Sequence, residues 1–226
     1  MTKTLKTIET AELAKATGGT QLQGGAGNDT LTTGHGDDLV FGNGGNDQIT
    51  TGDGHDQAQG GDGNDHIDTG RGNDLAFGGN GDDRITLGEG NDQGQGGAGN
   101  DALDGGHGAD QLFGGEGNDR MDGGLNDGAA DYAEGGAGDD SFAWGVGDGN
   151  DTFQGGTGRD TVVLDGISEH QLRQGLSLWT SGLTMHVNHG VVTFTNAHGQ
   201  PASFAGQLTI GGQTLTFQDV ESFKLG

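Results

Sequence analysis

Aspartate recurs every nine residues along one long stretch of this chain, at Asp29, Asp38, Asp47, Asp56, Asp65, Asp74, Asp83, Asp92, Asp101, Asp110 and Asp119. Four more continue the series at looser spacing, Asp131, Asp140, Asp151 and Asp160. Two residues before each regular aspartate stands a glycine: Gly27, Gly36, Gly45, Gly54, Gly63, Gly72, Gly81, Gly90, Gly99, Gly108 and Gly117. An ionised carboxylate only accepts hydrogen bonds, and glycine-rich turns leave backbone carbonyls open to approach. Such a donor set is all oxygen and strongly negative. It suits a hard divalent cation, and calcium takes six to eight oxygens from carboxylates and carbonyls in flexible geometry.

The elements that position these groups are read from the same period. Eleven consecutive nonads begin at residue 24 and run without insertion, with glycine fourth and aspartate sixth in every one. The second position is glycine in ten and Asn43 in one, which fits a left-handed backbone position. The eighth position is apolar or small, and alternate units give two columns. One reads Leu31, Ile49, Ile67, Ile85, Leu103, Met121, Phe142, Val162; the other reads Val40, Ala58, Ala76, Gly94, Leu112, Ala133, Phe153. After Asp122 the register loosens, with three extra residues in GGLNDGAADYAE and two in WGVGDGNDTFQ, and GGTGRDTVV closes the series.

This pattern predicts an all-β solenoid. Six residues of each unit are expected to form a turn and three, at positions seven to nine, a minimal strand with one inward side chain. Two units make a coil of eighteen residues, so odd units stack on odd and even on even. Large residues then face small ones across a thin core. Residues 24–163 carry 28 acidic and 4 basic side chains, and stacking places the aspartates in rows of like charge. Cations between coils resolve that conflict.

The totals agree. The chain has 226 residues, 53 glycines, no cysteine and a formal net charge of −25. Only 28% is hydrophobic, near the limit at which buried apolar surface offsets ordering entropy. The acidity argues against nucleic acid and anionic membranes as partners. No cysteine means no disulfide staple, and no apolar run is long enough to be a transmembrane segment.

GGAGNDTLT and its ten regular successors resemble the RTX (repeats-in-toxin) nonapeptide, GGxGxDxUx. The resemblance implies a parallel β-roll with calcium between the turns of successive coils. The sixth-position aspartates and turn carbonyls, those of the fourth-position glycines among them, would bind it. Sites between stacked units number about nine to thirteen, and about a dozen ions would match the repeat's charge.

Around the repeat lie two further segments. Residues 1–19 end in IETAELAKATGG, where Ile8, Glu12, Leu13 and Ala16 precede Gly18-Gly19. This resembles a double-glycine, bacteriocin-type leader cut by the peptidase domain of an ABC-type exporter; the alternative is an N-terminal amphipathic helix capping the roll. Residues 20–163 are the expected roll. Residues 164–226 read as short strands: LSLW, LTMHV and VVTFT across Asn188-His189-Gly190, QLTI and TLTF across Gly211-Gly212-Gln213, then DVESFKL. These predict a small C-terminal β cap that covers the last coil, which is compatible with an export signal in the same segment.

Nothing in the sequence reads as an enzyme. HExxH, G-x-S-x-G and a cysteine nucleophile are all missing, and only twenty-three residues precede the repeats. His186, His189 and His198 are expected on turns or strand surfaces. On the outer face of the even strands, Leu39, Phe41, Leu75, Phe77 and Phe113 alternate with Gln57, Gln59, Gln93 and Gln95. Either they form an interface or the rings fold over neighbouring coils. The expected function is that of a secreted, extracellular calcium-binding protein with a structural, adhesive or interaction role and a protein or glycan partner. The alternatives are a carbohydrate-binding or enzyme-accessory module, or a bacteriocin- or toxin-like effector.

Overall fold

Residues 19–226 are described by the computed structural model; the leader residues Ile8, Glu12, Leu13, Ala16 and Gly18 lie outside the described residues. Through the repeat, successive strands alternate between two sheets, each of eleven strands among the described residues. Leu39–Gly44, Gln57–Asp62 and Leu75–Asn80 neighbour one another in the first sheet, and Gln48–Asp53, His66–Arg71 and Arg84–Glu89 in the second. Pairing is parallel and shifted by one coil, Val40 opposite Ala58 and Ile49 opposite Ile67. The chain therefore winds as a parallel β-solenoid of eighteen residues per coil, odd units on odd and even on even. The inward columns anticipated from the eighth positions are buried throughout and form one core.

The expectation of three-residue strands is corrected. Most strands in the regular repeat have six residues, spanning positions seven to nine and then one to three of the next unit, as in Gln48–Asp53. The parallel ladder continues through the Gly-Gly pair, with Gly52 opposite Gly70 and Asp53 opposite Arg71. Glycine adopts the positive φ this requires (106° at Gly52), and Asn43 does the same at 78°.

Each strand consequently turns two positions inward, the eighth and the first. In the second sheet the first position supplies Thr33, Thr51, Thr69 and Leu87, all buried. Burying a hydroxyl requires a partner. Thr33 donates to the carbonyl of Thr51 at 2.7 Å, Thr51 to Thr69 at 2.8 Å and Thr69 to Leu87 at 2.7 Å.

The tail completes both sheets. A short helix, Glu169–Gly175, opens with a capping box between Ser168 and Gln171. It is absent from the all-strand reading, although Ser-x-x-Gln is its signature. Two antiparallel hairpins follow, Thr184–Asn188 with Val191–Thr195 and Phe204–Ile210 with Gln213–Val220. Their turns, His189-Gly190 and Gly211-Gly212, have positive φ throughout, which matches the right-handed twist of the strands they join. Gln213–Val220 then pairs in parallel with Thr152–Thr157, and Ser222–Leu225 with Thr161–Asp165. Phe204 packs against Phe194, Phe223 and Phe217 at 4.4, 5.2 and 5.8 Å between ring centroids, sealing the end of the core.

Candidate metal centre

The sixth-position aspartates form two ladders along the roll. In one, the backbone N–H of Asp29 donates to Oδ1 of Asp47 at 2.7 Å. The same bond joins Asp47 to Asp65, Asp65 to Asp83, Asp83 to Asp101, Asp101 to Asp119, Asp119 to Asp140 and Asp140 to Asp160. The other runs from Thr20 through Asp38, Asp56, Asp74, Asp92, Asp110 and Asp131 to Asp151. Both ladders cross the loosened units without losing register.

Only one oxygen of each carboxylate is used this way. Oδ2 is buried without a hydrogen-bond partner in thirteen aspartates: Asp38, Asp47, Asp56, Asp65, Asp74, Asp83, Asp92, Asp101, Asp110, Asp119, Asp131, Asp140 and Asp160. An orphaned buried carboxylate oxygen is costly, and thirteen stacked in two rows require a counter-charge while they are ionised. At the end of its row, Asp29 Oδ2 instead accepts the N–H of Gly25 at 2.6 Å.

A second oxygen lies beside most of the orphans in the first ladder. A Cβ built on Gly60 would meet both Asp65 Oδ2 and, at 2.8 Å, the carbonyl of Gly78 one coil on. Gly42, Gly78 and Gly114 show the same pairing of an aspartate Oδ2 with the next coil's carbonyl. These first-position glycines escaped the sequence reading, though their eighteen-residue recurrence marks them. The fourth-position glycines sit in the turns, where the N–H of Gly63 donates to the carbonyl of Asn80 at 2.7 Å. A Cβ on Gly63 would collide with the Gly45 carbonyl, so successive turns stack directly backbone on backbone. Along Asp38 to Asp92 the second ladder carries the threonine series and Leu87 at the first position instead.

The fifth positions were also missed. Asn46 donates its N–H to Asn28 Oδ1 at 2.8 Å, Asn64 to Asn46 at 3.0 Å and Asn118 to Asn100 at 2.9 Å. This ladder is exposed and runs opposite to the aspartate one, with the acceptor on the preceding coil. Asn or Asp at nine of eleven fifth positions was its signal.

Burial is the largest influence on the aspartates, pushing Asp65 up to about 6. It pushes Asp74, Asp83, Asp110, Asp119, Asp151 and Asp160 up to about 7. Asp131 rises to about 8, through burial and then repulsion from Asp151, Asp110 and Asp127. The donated N–H groups oppose these shifts only in part. Among the described residues no three His, Cys, Asp or Glu side chains converge on one point. Carbonyls would therefore have to supply the remaining oxygens, and an all-oxygen, acceptor-only set with orphaned carboxylates fits calcium.

Other candidate features lie apart from these rows. His186 meets Thr195 Oγ1 at 2.9 Å on an exposed strand, and His189 occupies a hairpin turn. Leu39, Phe41, Leu75, Phe77 and Phe113 are half-buried between exposed glutamines. Phe41, Gln59, Phe77 and Gln95 line an open groove of about 710 Å³. No helix among the described residues is long and apolar enough to cross a membrane.

Comparison with known proteins places these ladders in a family. The model for the RTX calcium-binding nonapeptide repeat matches residues 17–49, 41–76, 50–85, 59–94, 86–121, 95–128 and 146–166. Among solved structures, the extracellular lipase LipA from Serratia marcescens is similar at 17% identity and a TM-score of 0.29, over 93% of this chain. The chain spans 39% of that lipase. No curated protein matches. Because the repeat model matches more than half of the residues, with the aspartate ladders running through the matched segments, the chain belongs to the RTX family of calcium-binding nonapeptide repeats.

Proposed function

We propose that this is a secreted protein that folds when it binds calcium outside the cell and then acts as a structural, adhesive or interaction element, without catalysis of its own. The observation that carries the reading is the pair of rows of buried aspartates with orphaned Oδ2. About nine to thirteen ions would lie along these rows, held by the sixth-position carboxylates and by first- and fourth-position carbonyls. When bound, calcium supplies the positive charge that lets the rows stack. The residues do the rest: each Oδ1 fixes the preceding coil's N–H, and each turn glycine lets the coils close to contact distance.

Export follows from the same coupling. Calcium modules outside cells bind at about 10⁻⁴–10⁻³ M, so in a calcium-poor cytosol the acidic repeat stays extended, ready for an ABC-type exporter. Cleavage after Gly19 is supported by the fold. Thr20 is the first rung of the second ladder, donating to Asp38 Oδ1 at 2.5 Å and accepting from the N–H of Leu39 at 2.8 Å. Removing residues 1–19 therefore keeps every rung of both ladders that joins residues 20–160. N-terminal sequencing of secreted material tests this: Thr20 is expected, whereas folded, calcium-loaded protein in the cytosol contradicts the secretion reading.

A second reading, a glycan-binding module, is favoured by the groove of alternating Phe41, Gln59, Phe77 and Gln95. Affinity electrophoresis in neutral polysaccharide gels with calcium, comparing Phe77→Ala with the unmodified chain, separates the two.

A further inference from the structure

The repeats end at Asp160, yet its coil is not left open. In every coil before it, a sixth-position N–H is taken by the aspartate of the next coil, as Asp140 gives its N–H to Asp160 Oδ1 at 2.9 Å. Asp160 has no such successor in the repeat. Its N–H goes instead to Glu221 Oε2 in the tail, at 2.6 Å. The adjoining backbone bond is reproduced as well. Thr161 donates to the carbonyl of Asp140 at 2.9 Å, and Glu221 and Ser222 donate to the carbonyl of Asp160 at 2.9 and 3.1 Å.

The core positions continue in step, Phe223 over Val162 in one sheet and Phe217 over Phe153 in the other. So does the oxygen cradle. A Cβ on Gly135 would meet Asp140 Oδ2 and the carbonyl of Gly155; a Cβ on Gly155 would meet Asp160 Oδ2 and the carbonyl of Asp219. Asp219 follows Gln218, which pairs with Gln154, and so stands where a first-position glycine would; its φ of 51° is positive, which those glycines' φ is not. Asp160 is 0% exposed and its Oδ2 has no partner.

We propose that the carboxylates of Asp160 and Glu221 and the carbonyl of Asp219 form a terminal calcium site outside the nonapeptide repeats, joining the tail to the roll. The proposal rests on the reading that the aspartate rows bind calcium. It makes the tail part of the calcium-folded unit: without the ion, Asp160 and Glu221 repel each other across the seam that the tail must close. The donor set is two carboxylates and a carbonyl, oxygen only, as calcium prefers.

The test counts ions on the full chain by native mass spectrometry and follows hydrogen exchange of residues 213–225 during calcium titration. Glu221→Gln keeps an acceptor for the Asp160 N–H and removes only the charge. It is expected to carry one calcium fewer than the unmodified chain, and to need about tenfold more calcium to protect residues 213–225, the effect of losing one charge-assisted contact. Asp219→Asn, which alters a side chain but not the carbonyl, keeps the full count. An unchanged count and midpoint in Glu221→Gln would show that Glu221 is a hydrogen-bonding cap only. Equal loss in both variants would mean that general tail acidity, not this site, is responsible. If Glu221→Gln does not fold, Glu221→Asp must retain the full count at a raised midpoint, and an unchanged midpoint overturns the site. If the unmodified chain binds no calcium, it is the reading of the rows that fails.

Discussion

The backbone N–H of Asp65 donates to Oδ1 of Asp83 at 2.7 Å, while Oδ2 of Asp83 stays buried with no partner. That bond joins the strand ladder in holding two coils in register, and it leaves half of a carboxylate for a cation. Asp83 passes its own N–H on to Asp101 at 2.8 Å, so it serves the coils on both sides. Asp29, at the end of the same ladder, gives its N–H to Asp47 and has its Oδ2 occupied by Gly25.

The central aspartate should therefore matter more than the terminal one. Asp83→Ala leaves the Asp65 N–H buried and unpaired, a cost of about 1–3 kcal/mol before any loss of metal. Its calcium midpoint is expected to rise about tenfold, and that of Asp29→Ala by much less. Titrations followed by circular dichroism compare them, and equal midpoints contradict the ladder.

Much of this was legible in the sequence, because a nine-residue period with invariant Asp and Gly fixes both the coil and its stacking. The inward columns and the two aspartate rows came directly from it. Strand length did not, since Gly-Gly reads as a turn although its backbone continues the ladder at Gly52 and Gly70. The role of Glu221 was hidden for a different reason. Its equivalence to a sixth-position aspartate exists only in space, where Ser222–Leu225 lies against Thr161–Asp165.

Glycine positions that look alike should respond in opposite ways. Gly94 points into the core, where an added Cβ would meet Leu87 Cδ1 at 3.2 Å and Leu103 and Leu112 side chains at 3.6 Å. Those atoms are flexible, so Gly94→Ala is expected to be tolerated or to stabilise by up to about 1 kcal/mol. A Cβ on Gly78 would instead enter the space between Asp83 Oδ2 and the Gly96 carbonyl, and Gly78→Ala should lose calcium. Thermal melts in calcium, paired with ion counts, distinguish the two.

The exposed fifth-position ladder should contribute stability but no ions. Asn46→Ala removes the acceptor for the Asn64 N–H at 3.0 Å, a loss of about 0.5–1.5 kcal/mol, and Asn46→Asp restores it. Chemical denaturation in saturating calcium measures the loss. A fall in bound calcium for Asn46→Ala would show that this ladder takes part in metal binding.

Without metal, acid should favour the roll. Burial raises Asp74, Asp83 and Asp110 from 3.8 to about 7 in the folded state. The folded chain then binds more protons than the unfolded one across that interval. The contribution of these groups is fully present below about pH 3.8 and is lost as pH rises through about 7. In chelator, the β signal should be larger at pH 5 than at pH 8, and a signal that grows with pH over this window contradicts the assignment.

The central claim is that the core of this roll is completed by calcium, because the rows of like charge cannot stack without it. Circular dichroism of the full chain at pH 7.5, first in excess chelator and then in millimolar calcium, tests it most directly. The account predicts coil in chelator and a cooperative change to β structure on adding calcium. A roll equally ordered in chelator at that pH would contradict it.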